Sequence, residues 1–229
     1  TGWIPLSWDD SKGLLKDGEP LGDKGKEYYL YAGNYYLAGN LTLDAAIVIS
    51  GEVSLCLNGH SITQEGTGGA IRIPNTIDNN VKSLSLCDCT KDENGCITAG
   101  KNYGVFLGKS SFINMYGGII EKCGTGGVNA WGTFNMYGGT ITGNTTTGVV
   151  VGGNTFGGTF NMYGGTITKN ICGVSMTANT KANTFNMYGG KITGNTAGDG
   201  GGVYVTNGTF TMSGGEISGN EAEKCGGVY

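Results

Sequence analysis

The sequence has little charge, and the basic part of that charge is sparse. Of its 229 residues 14% are charged, with 14 lysines and arginines against 18 acids, and Arg72 is the only arginine. A nucleic-acid groove needs clustered Lys and Arg that displace counterions from phosphates. We therefore expect no nucleic-acid partner, in keeping with the formal net charge of −4.

Long hydrophobic runs and a secretion signal are also missing. No stretch of about eighteen apolar residues occurs, and residues 1–20 lack a charged segment followed by an apolar one. We expect a segment that does not span a membrane. The last repeat stops part-way, at "CGGVY", which is typical of an excerpt from a longer chain.

Histidine is limited to His60, and the seven cysteines are an odd number, so complete internal pairing is impossible. Cys87, Cys89 and Cys96 lie together in "CDCTKDENGC", where Cys96 could close a loop disulfide with either of the other two. Zinc sites use paired C-x-x-C steps or added His, and His60 lies elsewhere in the chain. The spacing therefore favours a loop disulfide or free thiols over a metal site, and we predict no metal or cofactor.

What the chain has in abundance is glycine, 46 residues, beside only 3 prolines and a hydrophobic fraction of 38%. This composition is typical of a folded chain with many tight turns. One phrase recurs: "FNMYGGTIT" at 134–142 and 160–168, "FNMYGGKIT" at 185–193 and "FTMSGGEIS" at 210–218. The repeated methionines, with steps of 21, 26, 25 and 25 residues, are Met115, Met136, Met162, Met187 and Met212. Such a period indicates a solenoid.

Each repeat contains three short apolar stretches with a period of two, which is the period of a strand. They are represented by Phe134/Met136, Ile141 and Val149/Val151. The pattern predicts an all-β, right-handed parallel β-helix of about seven to eight coils, with three short strands in each coil. Inward Phe, Met, Ile and Val would then form columns, which explains why the repeat sequences are nearly identical.

The repeat register extends upstream of the clear copies. Leu57 and Leu86 take the Met position and Ile62 and Ile97 the Ile position, if the Cys-rich loop is an insertion. Residues 1–29 lack the pattern and are expected to form an N-terminal cap with a short helix around 9–16. Residues 30–229 are predicted to form the β-helix.

The residues of the repeat that point outward are the candidate binding residues. Tyrosine rings one coil apart would stack at about 4.8 Å. With the amides beside them they would form a platform for a ligand, or would only stabilise the sheet. The candidates are Tyr116, Tyr137, Tyr163, Tyr188, Asn135, Asn161 and Asn186. A second amide row, interpreted as structural, is Asn144, Asn170, Asn195 and Asn220.

No catalytic residue is predicted. A lyase or glycosidase needs converging acids on neighbouring coils, but the outward strand positions contain mainly Asn, Tyr and Thr. The nearest polar candidates are Arg72 with Asp78 and, separately, His60. Rows of Thr also raise an ice-binding surface, but Lys191 and Glu216 interrupt them.

The repeats resemble those of known bacterial surface proteins. "GGAI" at 68–71, "GGVY" at 201–204 and 226–229, and "ITGN" or "ISGN" before them are similar to repeats of chlamydial polymorphic membrane proteins. "YYLAGNLTL", "VSLCLNGHSIT" and "GTFNMYGGTITGNT" resemble pectin-lyase-like β-helix segments in large surface proteins of gut Firmicutes. The resemblance implies an extracellular or wall-attached adhesin, and it transfers no binding residue.

Together these observations predict a non-catalytic, monomeric surface domain that binds host or matrix glycans or proteins. One alternative is a stalk that only spaces other domains. The other is a polysaccharide lyase or glycoside hydrolase, because the same fold hosts such enzymes.

Overall fold

A computed structural model describes residues 2–76, 80–92, 94–153, 155–177 and 181–229. Every regular element in these ranges is a strand, and the strands stack as a parallel β-solenoid of about seven turns. The predicted all-β solenoid is confirmed. A helix long and apolar enough to cross a bilayer is not found in these ranges.

Three sheets, A, B and C, run along the solenoid, and a fourth, D, is small. Sheet A contains β1 (Ile4–Asp9), β2 (Gly13–Lys16), β3 (Glu19–Pro20), β5 (Gly33–Leu37), β8 (Glu52–Cys56), β11 (Ser83–Cys87), β14 (Phe112–Met115), β17 (Thr133–Met136), β20 (Thr159–Met162), β23 (Asn183–Met187) and β26 (Val203–Met212). Sheet B contains β4 (Tyr28–Leu30), β7 (Ile47–Ile49), β10 (Ile71–Ile73), β13 (Tyr103–Leu107), β16 (Gly126–Ala130), β19 (Thr147–Val151), β22 (Cys172–Thr177) and the start of β26. Sheet C contains β6 (Leu41–Leu43), β9 (Ser61–Gln64), β12 (Cys96–Ala99), β15 (Ile119–Glu121), β18 (Thr140–Thr142), β21 (Thr166–Thr168), β24 (Lys191–Thr193) and β27 (Glu216–Ser218). Sheet D contains β25 (Thr196–Asp199) and β28 (Glu221–Lys224).

Identical inward residues lie over one another in the core. In sheet A, Phe134 pairs with Phe160 and Phe160 with Phe185, and all three side chains are fully buried. Their ring centroids are 4.9 and 4.7 Å apart, close to the spacing of neighbouring strands. The repeated apolar residues therefore form one continuous core.

The second glycine of each "YGG" corner is required on two grounds. Gly165 has φ +81°, and a Cβ there would lie 2.6 Å from Met136 Cε of the preceding coil. Gly190 has φ +83° and the same relation to Met162. A side chain would strain the backbone and displace the core methionine, so the glycine and methionine columns depend on each other.

The asparagine row interpreted as structural forms a buried ladder at the corner after sheet C. Asn144 Nδ2 donates to Asn170 Oδ1 at 3.0 Å, and Asn170 Nδ2 donates to Asn195 Oδ1 at 3.0 Å. The same Oδ1 atoms accept the backbone N–H of the preceding asparagine. These amides therefore satisfy polar groups that the turn buries.

The expectation of a helix around 9–16 is wrong. Strands β1 and β2 pair antiparallel as a hairpin, and Gly13 has φ +85° where β2 begins. The Asp9 carboxylate accepts the N–H groups of Ser11 and Lys12, which holds the turn instead of a helical start. Strand β1 also pairs in parallel with β5, so the hairpin extends sheet A. The boundary between residues 29 and 30 stays a prediction.

The upstream register differs from the expectation by two residues. Leu86 pairs with Met115 as predicted, but its partner on β8 is Leu55 and not Leu57. In the run "VSLCL" alternate residues fit the inward pattern in either register. Leu57 is buried after β8 ends, next to the Gly95 and Gly118 corners. The Cys-rich segment is an insertion, since residues 88–95 connect β11 to β12 where only 116–118 connect β14 to β15.

Candidate binding face

Between β14 and β23 the outward side of sheet A is an uncharged face made of three columns of side chains. Along β17, β20 and β23, Thr, Asn and Tyr alternate with the buried Phe and Met, as in Thr159, Asn161 and Tyr163. Four residues of extended chain separate the Thr and Tyr columns, about 13 Å. This surface is named the sheet A face. It presents hydroxyls, amides and phenols to solvent.

The four candidate tyrosines stack as the coil spacing predicted and are named the tyrosine ladder. Successive ring centroids lie 5.0, 4.9 and 4.9 Å apart with interplanar angles of 8°, 7° and 13°. Exposure is 53% for Tyr116, 44% for Tyr137, 45% for Tyr163 and 49% for Tyr188. The end rings are more exposed because each has only one stacked neighbour. Along the ladder, solvent reaches ring edges and hydroxyls, while the faces of the inner rings are covered by their stacked neighbours.

The candidate asparagines Asn135, Asn161 and Asn186 form a second, half-buried amide ladder beside the rings. Asn135 Nδ2 donates to Asn114 Oδ1, Asn161 Nδ2 to Asn135 Oδ1, and Asn186 Nδ2 to Asn161 Oδ1, each at 2.9 Å. Asn135 and Asn161 thus each use one donor and one acceptor within the ladder, and Asn186 uses one donor. A primary amide has a second donor hydrogen and a second lone pair, which remain for a ligand.

A cleft that sequence reasoning did not identify adjoins the Thr edge of this face. It has a volume of about 410 Å³ and is lined by Lys109, Phe156 and Lys181 together with Thr159 and Thr184 of the face. Lys109 Nζ lies 5.3 Å from the centre of the Phe156 ring, within the range of a cation–π contact. Phe156 belongs to the connection between β19 and β20, which the repeat pattern does not cover.

Sheet B carries a smaller cleft of about 250 Å³ beside Tyr103, Asn129 and Trp131. Within the described ranges, Asn129 Oδ1 and Trp131 Nε1 are buried without a hydrogen-bond partner. A buried acceptor and a buried donor in one cleft favour a small polar occupant. This second polar surface lies on a different side of the solenoid.

The polar residues singled out in the sequence occupy other places. Arg72 forms a double hydrogen bond with the Glu27 carboxylate, at 2.7 Å to each oxygen. Asp78, predicted beside Arg72, lies outside the described residues. His60 is half-buried in the turn after β8, where its N–H donates to Leu57 O. The non-catalytic interpretation stays a prediction.

The thiols group differently from the expectation. The sulfur atoms of Cys56, Cys87 and Cys89 lie within 4.8 Å of one another, while Cys96 lies on β12 outside this group. All seven cysteines are free thiols in the structure, which is one of the two predicted alternatives, and the loop disulfide stays a prediction. Burial, followed by the contact with Cys89, raises the pKa of Cys87, and contact with Cys56 is the main cause of the raised pKa of Cys89.

The Cys-rich loop is held by Asp88, a buried carboxylate with four hydrogen bonds. The N–H of Gly95 donates to Oδ2 at 2.6 Å, and Oδ1 accepts from Gly59 N at 2.9 Å and from Thr90 N and Oγ1 at 3.3 and 3.1 Å. Burial acts to raise the pKa of Asp88, but the hydrogen bonds from Gly95, Gly59 and Thr90 outweigh it and lower the pKa. The loop is thereby fixed to its neighbouring coil.

Comparison of the chain with protein-family models, with curated proteins and with solved structures finds no significant match. The geometry described above is therefore the basis for assigning a function.

Proposed function

We propose that this chain is a rigid, non-catalytic binding domain of a cell-surface or secreted protein, and that its sheet A face binds a neutral polysaccharide of host or matrix. The observation that carries the proposal is the tyrosine ladder, a row of large side chains about half exposed across four coils. Exposed aromatic patches of this kind mark interaction surfaces more often than isolated rings do.

Charge and periodicity favour a polysaccharide over a protein ligand. On β17, β20 and β23 the three columns of the sheet A face repeat the same neutral groups, about every 4.8 Å. Hydroxyl and amide groups recognise sugar hydroxyls through hydrogen bonds, and a linear polymer presents such hydroxyls at regular intervals. At the Tyr188 end the next coil carries Ser213 in place of a ring, and this leaves an aromatic face on which a sugar ring stacks. The adjoining Phe156 cleft is an additional subsite.

A stalk that only spaces other domains is the second candidate, and one observation favours it. The rings of the ladder contact one another, and the amides beside it hydrogen-bond one another, so both rows stabilise the solenoid without any ligand. In that case the exposed rings would be a consequence of the repeat and not a binding surface. The cell-surface location is part of the proposal. It rests on the resemblance of the repeat sequences to those of bacterial surface proteins.

A polysaccharide panel separates these candidates. Neutral polymers such as cellulose, xylan and mannan are tested beside pectin and a set of matrix proteins, with the wild-type chain and the Tyr137→Ala/Tyr163→Ala variant. The matched control is Tyr29→Ala/Tyr31→Ala, which removes two exposed tyrosines of another sheet. The proposal predicts retention on a neutral polymer that only the ladder variant loses.

Four results would count against the proposal. Absence of any ligand would support the stalk, retention only on proteins would replace the ligand class, and loss in Trp131→Ala alone would move the site to the sheet B cleft. New reducing ends or unsaturated products in the same mixtures would contradict the non-catalytic part.

A further inference from the structure

A group of three cysteines continues the column of the tyrosine ladder into two earlier coils. Cys56 and Cys87 are directly opposite each other on β8 and β11. On its other side, Cys56 pairs with Tyr36 of β5. Leu86 pairs with Met115, so Cys87 and Tyr116 are the outward residues that follow these partners. The insertion after β11 adds Cys89. Three sulfur atoms thus meet where other coils place a ring.

The distances between these sulfur atoms match a thiolate metal site. All three lie within 4.8 Å of one another, and Cys87 Sγ is 3.7 Å from Cys89 Sγ. A tetrahedral zinc ion with Zn–S bonds of about 2.3 Å places its sulfur ligands about 3.8 Å apart. The Cys87–Cys89 separation is therefore already that of a metal-bound pair, and the other two separations exceed it by at most about 1 Å.

We propose that Cys56, Cys87 and Cys89 bind one thiophilic metal ion, with Zn²⁺ as its representative, and that water or another small ligand completes a tetrahedral site. Each thiol releases its proton to solvent when it binds the ion, and no oxidant or reductant is required. Cys56 is buried and Cys89 is exposed, so the ion enters from the side of Cys89, where the fourth position is open. The ion would clip the inserted loop to two coils.

The site is preorganised by parts of the fold that do not bind the ion. Strand pairing fixes Cys56 against Cys87, and the hydrogen bonds that Asp88 accepts from Gly59 and Gly95 hold the segment that carries Cys89. Because Asp88 is saturated by backbone and Thr90 groups, it is a positioning residue and not a metal ligand. A binding site held in this way loses little conformational freedom when the ion arrives.

A disulfide is the rival explanation, and it accounts for fewer of the sulfur atoms. Cys56 and Cys87 are opposite residues, about 4.8 Å apart at Cα, which permits a bond. The Cys87 and Cys89 sulfur atoms are 3.7 Å apart, but their Cα atoms in extended chain are roughly 6.7 Å apart, at the limit for a disulfide. Any disulfide also leaves the third thiol of the group unexplained.

The test uses the 229-residue chain without an affinity tag, reduced and then freed of reductant. It is incubated with Zn²⁺, desalted and analysed for bound metal. Co²⁺ is added to a parallel sample to detect thiolate-to-cobalt charge-transfer absorption. We expect about one Zn²⁺ per chain and a charge-transfer band. Cys89→Ser should weaken binding by more than about tenfold, since even outer-shell changes cost 10- to 100-fold.

The controls are Cys96→Ser and Cys225→Ser, which change cysteines outside the group and should bind metal as the wild type does. Cys89 is exposed, so its serine variant tests the ligand set even if Cys56→Ser does not fold, and circular dichroism confirms its fold. The proposal fails if the wild type retains no metal, if Cys89→Ser binds as tightly as the wild type, or if Cys96→Ser abolishes binding. Mass spectrometry that finds a Cys56–Cys87 disulfide in freshly isolated, metal-free chain would also overturn it.

Discussion

The phenylalanine stack and the tyrosine ladder have the same spacing and opposite surroundings. Ring centroids of Phe134, Phe160 and Phe185 lie 4.9 and 4.7 Å apart in the fully buried core. The tyrosine rings lie 4.9 to 5.0 Å apart and are about half exposed. Because the coil repeat sets both distances, stacking alone does not indicate binding. Burial distinguishes the stack that stabilises the fold from the one that is available to a partner.

The two asparagine ladders repeat this contrast. Asn144, Asn170 and Asn195 are buried at a corner, whereas Asn135 and Asn161 are half-buried on the sheet A face. Both rows use side-chain amides that hydrogen-bond from coil to coil. Only the buried row must satisfy backbone groups that solvent does not reach.

The largest effect is expected from Phe160→Ala, in the middle of the buried stack. Removing a buried aromatic ring destabilises a core by about 3–5 kcal/mol. The free energy of unfolding in urea measures it, with Phe210→Ala as the control because Phe210 is only partly buried. Equal losses for Phe160→Ala and Tyr163→Ala would remove the distinction between the two stacks.

The next effect separates the amide ladders. Asn170→Ala leaves the backbone N–H of Asn144 without its acceptor and takes one of the two acceptors of Asn144 Nδ2, which keeps only Ile120 O. Each unsatisfied buried group costs about 1–3 kcal/mol. Asn161→Ala removes two hydrogen bonds of the half-buried row, each with a usual net worth of about 0.5–1.5 kcal/mol, and its cost should stay below that of Asn170→Ala because solvent reaches the groups left behind. Urea unfolding of both variants gives the comparison. A larger loss for Asn161→Ala would show that the outer row is the structural one.

A smaller effect on stability is expected in the tyrosine ladder. Tyr163→Ala removes exposed ring contacts worth roughly 0.5–1.5 kcal/mol per aromatic pair. Tyr163→Phe keeps the stack and removes only the hydroxyl, so its unfolding temperature should match the wild type while polysaccharide retention falls. Unchanged retention in Tyr163→Phe would show that the hydroxyl edge does not contact the ligand.

The smallest effect concerns Lys191 and Glu216, the charged pair that interrupts the outward Thr rows of sheet C. Hydrogen bonds from Ser218 and then Lys191 lower the pKa of Glu216 in the folded chain. A carboxylate with a lowered folded pKa stabilises the fold above its unfolded pKa, about 4.3 for Glu, and loses this contribution as the pH falls through the folded pKa.

Thermal unfolding measured from neutral pH to about pH 3, below the reference pKa of Glu, tests this expectation. The wild type should lose slightly more stability on acidification than Glu216→Gln does. Identical curves for the two chains would show that the pair contributes nothing to the fold.

Much of the solenoid could be predicted from sequence because two constraints act together. A period of two assigns each residue to the inside or the outside, and repeats of about 25 residues, in the range typical of solenoids, assign each strand to its partner. The Phe, Met and Ile columns and the tyrosine ladder follow from these constraints. Where a repeat departs from the common sequence, as at "VSLCL", alternation alone permits a shift of two residues. The prediction chose the wrong register there.

That shift also concealed the thiol group. Placing Leu57 opposite Leu86 sets Asn58 against Cys87, whereas the observed pairing of Leu55 with Leu86 sets Cys56 there. The helix expected at 9–16 was wrong for a different reason. The segment "DDSKG" forms the turn of a hairpin, with Gly13 at positive φ. The Phe156 cleft was not predictable, because its loop follows no repeat.

Selective labelling of tyrosine rings tests the central claim most directly. Ring signals of the 12 tyrosines, assigned by single substitutions, are followed by NMR while the retained polysaccharide is added. The account predicts shifts at Tyr116, Tyr137, Tyr163 and Tyr188 and none at the exposed Tyr29 and Tyr31. Equal shifts at all tyrosines, or none at the ladder with a ligand bound, would contradict the assignment of the sheet A face as the binding surface.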